Sequence, residues 1–294
     1  METNNIFIVV NLASGKDEPV LDIIKRVFNG SKQTPTIYVT KEHDDLAQII
    51  RTALPNTDLI AVYGGDGSVT QSAAALIGTN KPLAIIPGGT ANILSKELNI
   101  PQDIEEALIL IRDGKFELKT IDTGVVNERP FLLRVNLGIM ADMIIKTDPE
   151  LKDNLGQLAY GIATLKSISE AQPINYKIVI DGEQFNETGV SLTVTNSGSV
   201  GVGSLQLHSG ISVSDGLLNI ILLKDAGVLS LLKAASSTLF GNDVDEVRHW
   251  TCKEVEIALP EEQVYLCDDA EARASKLTIK VVPSSLVVAV PLNS

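Results

Sequence analysis

From Ile6 to Arg112, short runs of apolar residues alternate with amphipathic stretches. Ile6–Val10, Leu59–Tyr63 and Leu83–Ile86 read as buried strands, and Thr36–Val39 is strand-like. Between and after them, Glu18–Phe28, Asp44–Leu54, Ser68–Ile77, Ala91–Leu98 and Pro101–Arg112 carry apolar residues at helical spacing, with Leu46, Ile49 and Ile50 on one face and Pro101 at a helix start. A strand that is apolar at every position has no solvent face, so this alternation predicts a parallel sheet covered by helices on both sides.

From Phe116 onward the pattern changes. Strand-like runs dominate at 131–136, 175–180, 190–195, 217–223, 255–257 and 277–282, punctuated by the turn pairs Asp181-Gly182 and Asp215-Gly216. Two helical stretches, 149–170 and 228–240, interrupt them. The expectation is an α/β domain over 1–123 and a mainly antiparallel, sandwich-like β domain over 124–283, with the last segment, 284–294, returning to the first domain.

Two loops carry the chemistry, and both follow strands of the first half. Gly64-Gly65-Asp66-Gly67-Ser68 leaves one apolar strand and enters a helix. Glycines let a backbone approach an anion closely and aim N–H groups at it. A carboxylate among them, Asp66, suits Mg²⁺ or a proton taken from an attacking hydroxyl; a tight turn with Asp66 as an ordinary cap is the competing reading. Pro87-Gly88-Gly89-Thr90-Ala91-Asn92 repeats the strand–loop–helix arrangement, with Thr90 and Asn92 as hydrogen-bonding groups and Thr90 equally suited to capping the helix. A third polar turn, Asn11 to Lys16, follows the first strand, and Lys16 has the reach for a phosphate. In open α/β sheets ligands bind at these carboxyl strand ends. Neither a Walker A loop nor a dinucleotide fingerprint is present.

Composition narrows the classes. The chain of 294 residues carries a formal charge of -13 and no basic cluster, which argues against nucleic acid and against electrostatic membrane docking. Its two cysteines, Cys252 and Cys267, read as reduced thiols of a cytoplasmic protein. No apolar run approaches the ~20 residues of a membrane span, and the start lacks signal-peptide character, so membrane contact is expected to be peripheral.

Taken in order, Asn11…Ser14-Gly15-Lys16, Gly64-Gly65-Asp66-Gly67-Ser68 and Pro87-Gly88-Gly89-Thr90-Ala91-Asn92 resemble the diacylglycerol kinase and sphingosine kinase catalytic family, in its short bacterial-type members. The resemblance continues through Val135–Asp142, Lys152…Gly156…Tyr160, Asn196-Ser197-Gly198 and Ser214–Leu218. Departures are Leu12 for Pro, Ser68 for Thr, Gln71 for Glu, Ile93 for Asp, and Asp269-Ala270-Glu271 for Asp-Gly-Glu, where Ala is expected to narrow the turn and the register can slip to Asp268.

The resemblance implies a two-domain, ATP- and Mg²⁺-dependent lipid kinase, with a nucleotide-binding domain like those of NAD kinase and phosphofructokinase and a β-rich domain that binds lipid. Phosphates would lie on the amides of Gly64, Gly65, Gly67, Gly88 and Gly89. Asn11, Ser14, Lys16, Ser68, Thr90 and Asn92 would complete the nucleotide site, and Asp66 would organise Mg²⁺. Asp269 or Glu271 would deprotonate the lipid hydroxyl. Asp215 would hold a structural metal, or else form a type I′ hairpin turn. A lipid substrate, transient membrane contact and no nucleic acid are the expected partners, and a homodimer is compatible. The rivals are an NAD kinase-like enzyme, disfavoured because no Asn-Glu pair stands at a suitable place, and a catalytically silent lipid-binding protein.

Overall fold

The computed structural model describes residues 4–14, 18–145, 172–198, 210–225 and 247–292. The expected helices at 149–170 and 228–240 lie outside the described residues, as do Gly15, Lys16 and the 152–160 pattern. Backbone packing separates two compact units, Met1–Thr123 with Pro283–Ser294, and Gly124–Val282.

In the first unit, strands β1 (Ile6–Val10), β2 (Thr36–Val39), β3 (Leu59–Gly64) and β4 (Leu83–Pro87) pair in the order β4-β3-β1-β2, all parallel. Every residue of β3 and β4 is buried. Helices α1 (Val20–Phe28) and α5 (Ile104–Asp113) cover one face. Val20, Ile24, Val27, Leu108 and Ile111 pack there against Ile6, Ile8, Val10, Ala61 and Ala84. The intervening helices are α2 (Leu46–Ala53), α3 (Asp66–Ala73) and α4 (Ile93–Glu97). Several boundaries depart from expectation. Helix α3 starts two residues earlier, because extended Gly65 serves as its N-cap. Helix α5 starts at Ile104 rather than Pro101, because Asp103 accepts the Glu106 N–H at 3.0 Å and so caps the first turn. Helix α4 is only five residues, and Asn92 rather than Thr90 stands at its N-cap position without a side-chain capping bond.

The strand β5 (Phe116–Val126) leads toward the second unit, where all pairings are antiparallel. The expected strand at 131–136 is two strands, β6 (Arg129–Phe131) and β7 (Arg134–Gly138), because the amides between them donate to the Asp268 carboxylate instead of to a ladder. After the short helix α6 (Ile139–Ile145) come β8 (Ile174–Ile180), β9 (Glu183–Gly189), β10 (Ser191–Thr195), β11 (Leu218–Leu223), β12 (Val247–Cys252), β13 (Glu254–Cys267) and β14 (Ala270–Pro291). Strands β9 and β12 are too polar to stand out as runs. At the β8–β9 turn Asp181 and Gly182 both have positive φ, 46° and 92°, as a primed hairpin turn requires.

Strand β13 builds the two layers. Its first half pairs with β8, its register shifts between Ala258 and Gln263, and its last residues pair with β7. One strand thereby joins the β8–β9 hairpin to the β7-β10-β11-β12 sheet. Tyr176, Ile178 and Val255 from one side meet Val135, Leu192, Val194 and Ile220 from the other in a single core. The C-terminal part of β14 lies in the first unit, where Val288 pairs with Leu83 of β4 in parallel.

Candidate active site

The parallel sheet of the first unit reverses its strand order at β1, with β2 on one side and β3 on the other. Ligand crevices of such sheets open at this point, beyond the carboxyl ends of the strands. The loops after β1 and β3 meet there. The Asn11 N–H donates to Tyr63 O at 3.0 Å, and the Asn11 side-chain amide donates to Ser68 Oγ at 2.8 Å. Asn11 Oδ1 accepts the Ala13 N–H, and Ser14 Oγ donates to Asn11 O, which tightens the turn. A Cβ on Gly64 would lie 2.6 Å from Ser68 Cβ and 3.3 Å from Ser14 Oγ, so only glycine allows Ser14, Ser68 and the end of β3 to converge.

The second glycine loop packs against the first. The Gly88 N–H donates to Gly64 O at 2.9 Å, and a Cβ on Gly89 would come within 2.5 Å of Gly65 Cα. Gly88 rests on the Tyr63 ring, where a Cβ would be 2.7 Å from Cε2. This contact had no sequence signal, because Tyr63 reads simply as the last apolar residue of its strand.

This packing corrects several assignments. The amides of Gly88 and Gly89 do not point outward. The first bonds to Gly64 O and the second donates to Asn92 Oδ1 at 2.9 Å. The Asn92 amide nitrogen donates back to Gly89 O at 2.7 Å, so this side chain closes its own loop. Asn92 also takes a left-handed conformation, φ 49°, which asparagine tolerates. Thr90 is exposed. The N-terminus of α3 carries no side-chain cap. Its N-cap Gly65 offers no side-chain acceptor, and the amides of Gly67 and Ser68 lie in the first turn, where no intrahelical acceptor exists.

Asp66 is the first residue of α3, yet its carboxylate serves α4. Oδ1 accepts the Ile93 N–H at 2.7 Å and the Leu94 N–H at 3.4 Å. The competing reading, an ordinary cap on its own helix, does not hold: Gly65 is the N-cap of α3, and the Asp66 carboxylate bonds the first amides of α4 instead.

In the second unit, β13 and β14 join through a two-residue turn, Asp268-Asp269. Asp268 has φ 54°, and its carboxylate accepts three backbone N–H groups, Leu132 at 2.8 Å and Leu133 and Arg134 at 2.9 Å. Its own N–H donates to Arg134 O. These bonds occupy Asp268 and leave Asp269 exposed at the tip, followed by exposed Glu271. Ala270 pairs with Cys267 as the first residue of β14, so the departure from glycine falls on an ordinary strand position. Asp215 accepts the Leu217 N–H at 3.0 Å in the turn before β11. Only Gly216 of that pair has positive φ, which corrects the type I′ alternative.

Among the described residues no group of three or more His, Cys, Asp or Glu is arranged to hold a metal. A Mg²⁺ bound with a nucleotide would need no such cage, since phosphate oxygens, water and one or two carboxylates hold it. Asp66 is the carboxylate of the glycine loops. A structural metal at Asp215 finds no such ligand set among the described residues.

The profile of the diacylglycerol kinase catalytic domain matches residues 5–126, and that of the YegS C-terminal NAD kinase beta sandwich-like domain matches residues 135–290. An uncharacterized protein of Synechocystis sp. is 31% identical over 95% of this chain and 68% of its own length. A diacylglycerol kinase of Bacillus subtilis is 28% identical over 81% of this chain and 80% of its own. The crystal structure of a candidate diacylglycerol kinase from Bacillus anthracis superposes with a TM-score of 0.85 at 25% identity, covering 99% of this chain and 98% of that one. This chain belongs to the diacylglycerol kinase catalytic-domain family, in the form that carries a YegS-type β sandwich-like C-terminal domain.

Proposed function

We propose that this protein is a lipid kinase that transfers the γ-phosphoryl group of ATP to the hydroxyl of diacylglycerol or a related lipid. The observation that carries the reading is the uncapped N-terminus of α3, formed by the first glycine loop at the strand-order reversal and flanked by the second. A helix start without a side-chain cap presents N–H groups and the positive end of its dipole to an anion. In a chain of charge -13, that local feature offsets the repulsion of a polyphosphate.

Phosphoryl transfer asks for positioning and charge neutralisation more than for covalent chemistry. In this reading the amides of Gly65, Gly67 and Ser68 receive phosphate oxygens, Ser14 and Asn11 hold the loop shape, and Lys16, outside the described residues, adds positive charge. Asp269 takes the proton of the lipid hydroxyl, with Glu271 as its alternative. The hydroxyl oxygen forms the new P–O bond as the bond to the ADP leaving group breaks. Mg²⁺ bound with the nucleotide would neutralise phosphate charge, with Asp66 as its carboxylate. The lipid is met by transient peripheral contact at the cytoplasmic face of a membrane; among the described residues no helix is long and apolar enough to cross one.

A second reading, a small-molecule kinase acting on NAD, draws on the NAD kinase-like description of the C-terminal family. One assay separates them. Purified protein is incubated with γ-labelled ATP and Mg²⁺ against a lipid panel and, separately, against NAD. Label in a lipid phosphate supports the proposal, label in NADP favours the second reading, and no transfer to any acceptor rejects both.

A further inference from the structure

Helix α4 has an incomplete start of its own. Its N-cap residue, Asn92, makes no side-chain capping bond, because both ends of that amide are bonded to Gly89. The first amides of α4, Ile93 and Leu94, are nonetheless satisfied, by Asp66 Oδ1 reaching across 27 positions from the other glycine loop. The two loops touch at Gly65 and Gly89, where a Cβ on Gly89 would stand 2.5 Å from Gly65 Cα. Asp66 and the Gly88–Gly64 hydrogen bond are therefore two straps across one glycine seam.

We propose that Asp66 is a positioning residue, a cap supplied in trans that holds the second glycine loop and α4 in register against the phosphate-facing start of α3. The role requires a hydrogen-bond acceptor at Oδ1 and does not require a negative charge. It rests on the nucleotide-site reading above only in its consequence for affinity; the cap exists whether or not the chain is a kinase. It also differs from a metal-organising role in a way that can be read without metal. A residue that acts only through Mg²⁺ contributes nothing to nucleotide binding in EDTA, and its carboxylate repels phosphate there. A cap keeps its value under both conditions.

Two measurements on the full chain test this. The first is amide hydrogen exchange without nucleotide. Asp66→Ala accelerates exchange at Ile93, Leu94 and the rest of α4 by about tenfold, the size expected for losing a helix cap, while Asp66→Asn, which keeps an acceptor, stays within about threefold of the parent. Unchanged exchange at Ile93 and Leu94 in Asp66→Ala overturns the proposal. The second is titration with ATP by calorimetry, with Mg²⁺ and with EDTA. Asp66→Ala weakens binding in both buffers and Asp66→Asn restores most of it in EDTA. Equal affinity of Asp66→Ala and the parent in EDTA, or equal damage by Asn and Ala in EDTA, overturns the positioning role. If the parent chain binds no ATP, the kinase reading fails instead, and the exchange result still decides the cap.

Discussion

Replacing Asp268 by Ala removes one carboxylate and orphans three backbone N–H groups at once. The donors are Leu132, Leu133 and Arg134, which are 2%, 4% and 5% exposed. A hydrogen bond to a charged acceptor contributes about 1.5–3 kcal/mol net. The sum of three is reduced because Oδ1 serves two donors and the turn is only half-buried, which admits water. An expected loss of about 3–5 kcal/mol follows, part of it from placing Ala at a positive φ that Asp tolerates better. Trp250, the single tryptophan, lies in the same unit and packs 5.7 Å from Phe185, so its fluorescence reports the transition. With a urea slope of about 2 kcal/mol/M, the midpoint falls by about 1.5–2.5 M. Asp268→Asn keeps one acceptor and tolerates the left-handed backbone, and is expected to lose roughly half as much. A midpoint for Asp268→Ala within about 0.5 M of the parent would show that these three bonds do not hold the turn.

Three further outcomes are expected. Gly89→Ala forces the glycine seam apart, since its Cβ would stand 2.5 Å from a backbone atom, and costs about 1–3 kcal/mol with loss of turnover, whereas Gly65→Ala, at 3.4 Å from Gly89 Cα, costs clearly less in thermal unfolding; equal costs refute the steric account. Burial first, and then the charges of Asp181 and Asp268 respectively, push the thiols of Cys252 and Cys267 up to about 12, so at pH 8 both stay protonated and react with a soluble disulfide reagent only after denaturation. Fast native labelling would contradict this. Hydrogen bonds from Arg112 first and Lys115 next hold the Asp113 carboxyl at about 2 against its ordinary 3.8. Its contribution to stability is therefore present above 3.8 and lost as pH falls toward about 2, and Asp113→Asn should flatten the urea-midpoint profile across that window.

The α/β architecture of the first unit was legible because β1, β3 and β4 are apolar at almost every position, which leaves them no place but the centre of a sheet. The glycine loops were legible because two Gly-Gly pairs after such strands have few uses. Polar strands such as β9 and β12 were not, because an edge position tolerates charge and erases the run.

The sequence by itself determined that glycine-rich loops stand at the ends of buried parallel strands, since glycine spacing and apolar runs are local properties. Only the tertiary structure decided which groups in those loops face outward. Asp66 caps a helix 27 residues on, Asn92 turns back on Gly89, and Asp268 binds amides more than 130 residues away. The partner of each of these groups, unlike a strand's periodicity, is chosen by which loops the completed fold presses together, and for Asp66 and Asp268 that choice leaves no local pattern in the chain.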